Sequence, residues 1–204
     1  MFKIAVLASG GGSNLQSIID NIENGFLNCT IEMIIGSKEG IYALERGKEN
    51  EIETFVVSRK DYGNKTSDKI LEFAKERNID LIVLAGYLSI LEGNILKEYK
   101  NKIINIHPSL IPSFCGEKMY GLNVHKAAIK KGVKVSGCTV HFVNDEVDGG
   151  EIIIQKAVPV YFEDTAEVLQ KRILKEEHKI LPLAIKYISE GKIEIKGGRV
   201  NILK

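Results

Sequence analysis

Apolar runs too uniform to leave one face wet are the strongest constraint on this chain. Phe2 to Ala8 and Asp80 to Ala85 are almost wholly apolar, which suits strands covered on both faces. Ile31 to Ile35 and Glu53 to Val57 read as two more strands. Amphipathic stretches lie between them. Leu15, Ile18, Ile19 and Ile22 fall at i, i+3, i+4 and i+7, one face of a helix. Tyr42 to Asn50 reads as a second helix. Lys65 to Arg77 reads as a third, with Ile70, Leu71, Phe73 and Ala74 inward and Asn78 suited to a left-handed cap. Such alternation specifies an α/β fold, a doubly wound and mostly parallel sheet. Ligands of these sheets gather at the carboxyl ends of strands.

The second half adds a different pattern. Glu92 to Tyr99 is a short helix leading to a strand at Ile103 to His107, and Val124 to Lys131 is another helix. Val135 to Val143 alternates, an acidic turn comes next, and Glu151 to Val160 returns. That pair reads as an antiparallel hairpin added to the parallel sheet. Asp164 is the expected N-cap of the last helix, with Glu167 as its capping-box partner. Ala166, Leu169, Ile173 and Ile180 face inward, and Pro182 is expected to kink or interrupt the helix. Lys192 to Lys204 reads as an edge strand or a frayed end. With no repeat, linker or low-complexity segment, residues 1–204 are expected to form a single domain.

Composition excludes several function classes. The 28 basic and 27 acidic residues leave a net charge of +1, so no basic field marks a nucleic-acid partner. Nothing approaches the roughly 18 consecutive apolar residues of a membrane span. Cys29, Cys115 and Cys138 are odd in number and lack a C-x-x-C pair, which fits a reducing, cytoplasmic location better than a disulfide scaffold.

Two stretches carry chemistry. Ser9-Gly10-Gly11-Gly12-Ser13-Asn14 joins the first strand to the first helix, where backbone N–H groups can face an anion. A triphosphate loop would need G-K-[ST], and a dinucleotide loop would need glycine where Leu15 stands. A single phosphate, with Ser13 and Asn14 as further donors, fits better than a plain tight turn. The other stretch is Ile103 to Pro112, I-I-N-I-H-P-S-L-I-P. Asn105 and His107 point to the same side of a strand, and Pro108 and Pro112 stiffen the backbone after it. An amide and an imidazole so placed can stabilise an oxyanion and move a proton. Asp148, in a D-G-G turn, is the carboxylate expected to raise the histidine's pKa; Asp145 and Glu146 are the alternatives. Together these groups suit acyl transfer. Ser109 lacks a nucleophile elbow. His107, His125 and His141 are too widely spaced to argue for a metal, and none is expected.

The motifs S-G-G-G-S-N-L at 9–15, N-I-H-P-S-L-I-P at 105–112, H-F-V at 141–143, D-G-G at 148–150 and E-H-K-I-L-P at 177–182 resemble those of phosphoribosylglycinamide formyltransferases. The resemblance runs in order along nearly the whole chain. It implies the formyltransferase fold, and transfer of a formyl group from 10-formyltetrahydrofolate to the amine of glycinamide ribonucleotide, without a metal. By matching position, Asn105 and His107 stabilise the oxyanion, His107 is the general acid, and Asp148 keeps it protonated and relays a proton. Gly12, Ser13 and Asn14 hold phosphate, and Glu177 contacts the ribonucleotide. Gly86, Tyr87, Leu88, Ser89, Ile90 and Leu91, together with Asn105, line the folate pocket. So do Val143, Asn144, Asp145, Glu146, Val147 and Asp148.

Two departures stand out. Many members have arginine where this chain has Ser89, so a direct charge contact to the folate is either lost or replaced, with Lys65 as the candidate cation. The loop from Ser113 to Gly121 is longer than the shortest family form. Methionyl-tRNA formyltransferases share the histidine motif but carry an RNA-binding C-terminal domain, for which the stretch after Ile188 is short. Formyltetrahydrofolate hydrolases add an N-terminal regulatory domain, whereas the first strand here starts at Phe2. A non-catalytic nucleotide-binding module would explain the glycine loop but leave Asn105, His107 and Asp148 without a role. Small molecules are the expected partners, and a homodimer is one assembly the sequence leaves open.

Overall fold

The computed structural model describes residues 1–203. In chain order the elements are β1 (Phe2–Ala8), α1 (Ser13–Glu23), β2 (Cys29–Gly36), α2 (Tyr42–Glu49), β3 (Thr54–Val56) and α3 (Arg59–Tyr62). A 3-10 turn at Gly63–Lys65 leads to α4 (Thr66–Glu76), β4 (Leu81–Leu84), α5 (Asn94–Glu98) and β5 (Ile103–His107). Then come α6 (Leu122–Lys131), β6 (Val135–Phe142), β7 (Ile152–Pro159), α7 (Ala166–Ser189), β8 (Ile193–Lys196) and β9 (Arg199–Ile202). Seven strands form a sheet of order β3-β2-β1-β4-β5-β6-β7, and β8-β9 form a second. This is the mostly parallel α/β architecture that the alternation of elements implies. The chain divides into two compact units, Met1–Asn105 and Ile106 onward.

In the first unit β1 pairs in parallel with both β2 and β4, and β3 lies parallel to β2. Ile4, Val6, Leu7, Ile34, Ile82 and Val83 are wholly buried. Removing such side chains from water contributes roughly 1.5–3 kcal/mol each, which is why these runs need no polar alternation. Leu15, Ile18 and Ile19 pack α1 against the core. Asn78 adopts the left-handed conformation expected after α4. The short α3 and its 3-10 extension have no counterpart in the sequence pattern, since four residues carry too little periodicity to register.

In the second unit β6 and β7 form the antiparallel pair, from Val135 opposite Pro159 to His141 opposite Ile152. The backbones approach closely at Gly137, where a Cβ would lie 2.0 Å from the Lys156 carbonyl oxygen. One expectation for α7 fails. Its N-cap is Thr165, whose hydroxyl accepts from the Val168 N–H at 3.3 Å. Asp164 is drawn away by Arg172, which donates to both its carboxylate oxygens at 2.5 and 2.7 Å, and by the Tyr161 N–H at 2.8 Å. Of the two outcomes expected at Pro182, interruption does not occur: the helix runs through it to Ser189. Leu169, Ile173, Leu181, Ala184 and Ile185 are fully buried along its length, and that packing outweighs one lost backbone bond. The tail pairs with itself as the β8-β9 hairpin.

Thr165→Ala should lower unfolding free energy by about 1 kcal/mol through loss of the cap. Denaturant titration measures this, and the midpoint should fall with the slope unchanged.

Candidate active site

In the second unit the site is built around one carboxylate. Asp148 has φ +57, an uncommon conformation for a residue with a side chain. The glycines after it explain how the turn closes. A Cβ on Gly150 would sit 1.9 Å from the Phe142 carbonyl oxygen, and one on Gly149 would meet the Glu146 side chain at 2.6 Å. The turn therefore folds back on the end of β6 and brings Asp148 under two imidazoles. His107 Nδ1 lies 3.6 Å from Asp148 Oδ2, and His141 Nε2 lies 3.6 Å from Oδ1. The Gly116 N–H donates to Oδ2 at 2.9 Å.

The outer nitrogen of each ring faces a backbone carbonyl. His107 Nε2 is 2.9 Å from the Phe114 oxygen, and His141 Nδ1 is 2.7 Å from the Phe142 oxygen. A carbonyl can only accept, so each ring donates outward. That leaves one nitrogen of each ring facing the same carboxylate.

Burial raises the Asp148 carboxyl, but the His141 and Gly116 donors and the nearby imidazoles outweigh it, so the group lies below the usual carboxylate range. The balance at His107 goes against the sequence expectation. Burial disfavours its cation more than Asp148 and the Phe114 carbonyl favour it, and its pKa is lowered. Asp148 thus opposes the loss of the His107 proton without reversing the effect of burial.

The segment after His107 is fixed from below. Thr139 Oγ1 donates to the Ser109 carbonyl at 2.6 Å and accepts from the Ile111 N–H at 3.2 Å. Gln155 Nε2 reaches the Ile111 carbonyl at 2.9 Å, and the Ile111–Pro112 peptide is cis. Ser109 is fully buried and donates to the Ser113 carbonyl at 2.6 Å, a structural role that leaves it no nucleophilic one. Asn105 precedes His107 by two residues on β5, half-buried. Glu177 is buried on α7. Burial, then the charges of Glu177 and Glu176, push the Cys138 thiol up.

The first unit holds the glycine loop. Gly12 enters α1 with φ +70, and a Cβ there would lie 2.8 Å from the Ala43 Cβ. Among the described residues no side chain caps this helix start. Ser13 and Asn14 open the helix, as the sequence implies. The Ser9 N–H donates to the Gly86 carbonyl at 3.1 Å, and the Leu88 N–H donates to Ser9 Oγ at 2.9 Å. The glycine loop is thereby tied to the segment from Gly86 to Leu91. In that segment Tyr87 and Leu91 are buried, Ser89 is half-buried, and Leu88 and Ile90 are exposed. Lys65 is exposed at the end of its 3-10 turn. The cation that reaches this segment's end is Arg59, 2.9 Å from Glu92. In the acidic turn, Asn144 to Val147 are exposed and Val143 is half-buried.

Residues 2–185 match the formyl transferase family profile. The chain belongs to the formyl transferase family. It is 42% identical over 198 residues to a Haemophilus influenzae phosphoribosylglycinamide formyltransferase, covering 96% of this chain and 91% of that one. A crystal structure of glycinamide ribonucleotide transformylase 1 from Symbiobacterium toebii superposes with a TM-score of 0.95 at 40% identity, over 100% of this chain and 95% of that one. The Gallus gallus trifunctional purine biosynthetic protein adenosine-3 is 40% identical over 95% of this chain, which spans only 19% of that protein. Among the described residues no helix is long and apolar enough to cross a membrane.

His141 and His125 are what sequence reasoning missed. Spacing alone weighs His141 only as a metal ligand; its signal is the H-F-V strand end preceding the D-G-G turn. His125, on α6, is 1% exposed, and its Nδ1 has no hydrogen-bond partner among the described residues. Burial and the nearby His107 lower its pKa from 6.5 to about 4. Folding stabilises the neutral ring, so this contribution is complete above pH 6.5 and is lost as pH falls toward 4. At about 1.4 kcal/mol per unit, it amounts to roughly 3 kcal/mol. His125→Gln should therefore flatten the decline in unfolding free energy between pH 6.5 and 4, measured by urea titration at each pH. An unchanged slope would refute the assignment.

Proposed function

We propose that this protein transfers the formyl group of 10-formyltetrahydrofolate to the amino group of 5-phosphoribosylglycinamide. The reading is supported by the His107–Asp148–His141 geometry, on a chain with a relative of matching length named phosphoribosylglycinamide formyltransferase. In the balanced reaction the amine attacks the formyl carbon, the new C–N bond forms, and the bond to N10 breaks. The proton lost by the amine ends on N10.

Each group of the site has work in that sequence. Asn105 donates its amide N–H to the oxyanion. His107 donates from Nε2, the formyl oxygen taking the place that the Phe114 carbonyl holds in the free protein. Donors aimed at where charge develops are the largest single source of acyl-transfer catalysis. Asp148 supports the imidazolium and relays the proton, through water, from the attacking amine. His141 holds Asp148 ionised and oriented. Gly12, Ser13 and Asn14 receive the phosphate, and Glu177 contacts the ribonucleotide. The segments 86–91 and 143–148, and Asn105, are read as the folate contacts, with Lys65 or Arg59 as the available cation. The reading treats residues 1–204 as one formyltransferase domain, working in the cytoplasm as a homodimer on small-molecule substrates without a metal.

A second reading comes from a Pseudomonas syringae formyltetrahydrofolate deformylase, which shares the fold at a TM-score of 0.91 and 24% identity. Water would then be the acceptor. Folate release is to be measured with and without the ribonucleotide. Release that requires the ribonucleotide, yields its formyl derivative and vanishes in His107→Ala supports transfer; release in water alone supports hydrolysis. Asp148→Asn should lower turnover by about a hundredfold or more while leaving ribonucleotide affinity nearly unchanged. Equal loss of both would remove Asp148 from the chemistry.

A further inference from the structure

Arg46 lies outside every role above, yet it is built into the glycine loop. All three glycine carbonyls of that loop are taken by protein donors. The Gly10 oxygen accepts from the Ala43 N–H at 3.1 Å, the Gly11 oxygen from Arg46 Nε at 2.9 Å, and the Gly12 oxygen from the Gln16 N–H at 2.9 Å. These oxygens are the groups in the loop that would repel an anion. With each turned onto a donor, the loop's N–H face is left to define the charge an incoming group meets.

Of the three donors, only Arg46 is a side chain, and it is held on several sides. Its Nη1 donates to Gln16 Oε1 at 2.6 Å, and its guanidinium lies over the Tyr42 ring, 4.7 Å from the centroid. Stacking and forked donation of this kind need a planar guanidinium, which lysine lacks. The contact of α2 with Gly12 at Ala43 keeps Arg46 in register with the loop.

We propose that Arg46 is the positioning residue of the phosphate loop. It holds the Gly11 carbonyl away from a phosphomonoester dianion and supplies a fixed positive charge behind the loop. The proposal rests on the reading of Gly12, Ser13 and Asn14 as phosphate holders and names the residue that prepares them.

Steady-state kinetics on the full chain test it, with the ribonucleotide and the folate varied in turn and inorganic phosphate as competitor. Arg46→Gln should raise KM for the ribonucleotide, and the inhibition constant of phosphate, by about tenfold, as expected for losing a charged hydrogen bond and its charge. The turnover number and KM for the folate should stay within about twofold. Arg46→Lys, which keeps charge without the fork, should fall between. Tyr42→Ala, which keeps the arginine and removes its support, should raise the same KM by a smaller factor, and carries the test if Arg46→Gln melts early. An unchanged ribonucleotide KM, or equal loss of turnover and both KM values, would overturn the proposal and leave Arg46 a structural residue. If phosphate does not compete with the ribonucleotide in the unsubstituted enzyme, the phosphate-loop reading itself falls.

Discussion

The buried carboxylate of Asp148 is the constraint on which the site depends. An ionised carboxylate away from water needs polar partners, and here one backbone N–H donates to it at 2.9 Å and two imidazoles stand 3.6 Å away. Those three partners come from the loop after β5, from β5 itself and from β6. Neutralising one charge therefore fixes where three parts of the second unit must lie. The turn that delivers the carboxylate needs glycine at 150 because the Phe142 carbonyl occupies the space of a Cβ.

Backbone groups do much of the tuning. The Phe114 and Phe142 carbonyls decide which ring nitrogens donate, and so leave the other nitrogens to Asp148. The Gly116 N–H adds a donor that cannot titrate. In the first unit the same device appears with the opposite sign of charge. Carbonyls of the glycine loop are engaged elsewhere, so N–H groups govern the face at the start of α1. Both arrangements rely on rigid supports: Thr139 and Gln155 beneath the Ser109–Ile111 segment, and α2 behind the glycine loop.

Much of the fold was legible because its strands are short apolar runs and most of its helices keep a clean 3.6 period. β1, β4 and β5 lie within a residue or two of their expected bounds. The element reading that failed was a local preference overruled by a distant partner. Asp164 has the residue type of an N-cap, but Arg172 claims it eight positions away, and Thr165 caps instead. Pro182 is a helix breaker by type, but buried packing on both sides of it keeps α7 whole.

The sequence by itself determined the alternation of elements, the glycine loop before α1, and the Asn105/His107 spacing on one strand, since each is a property of neighbouring residues. It also marked Asp148 by the glycines after it. Only the tertiary structure decided that His141 shares that carboxylate, that the Phe114 carbonyl takes His107 while the Gly116 N–H takes Asp148, and that burial outweighs the carboxylate in setting the His107 pKa. Those outcomes depend on desolvation and on contacts between residues 7 to 41 positions apart, and no local pattern in the chain encodes either.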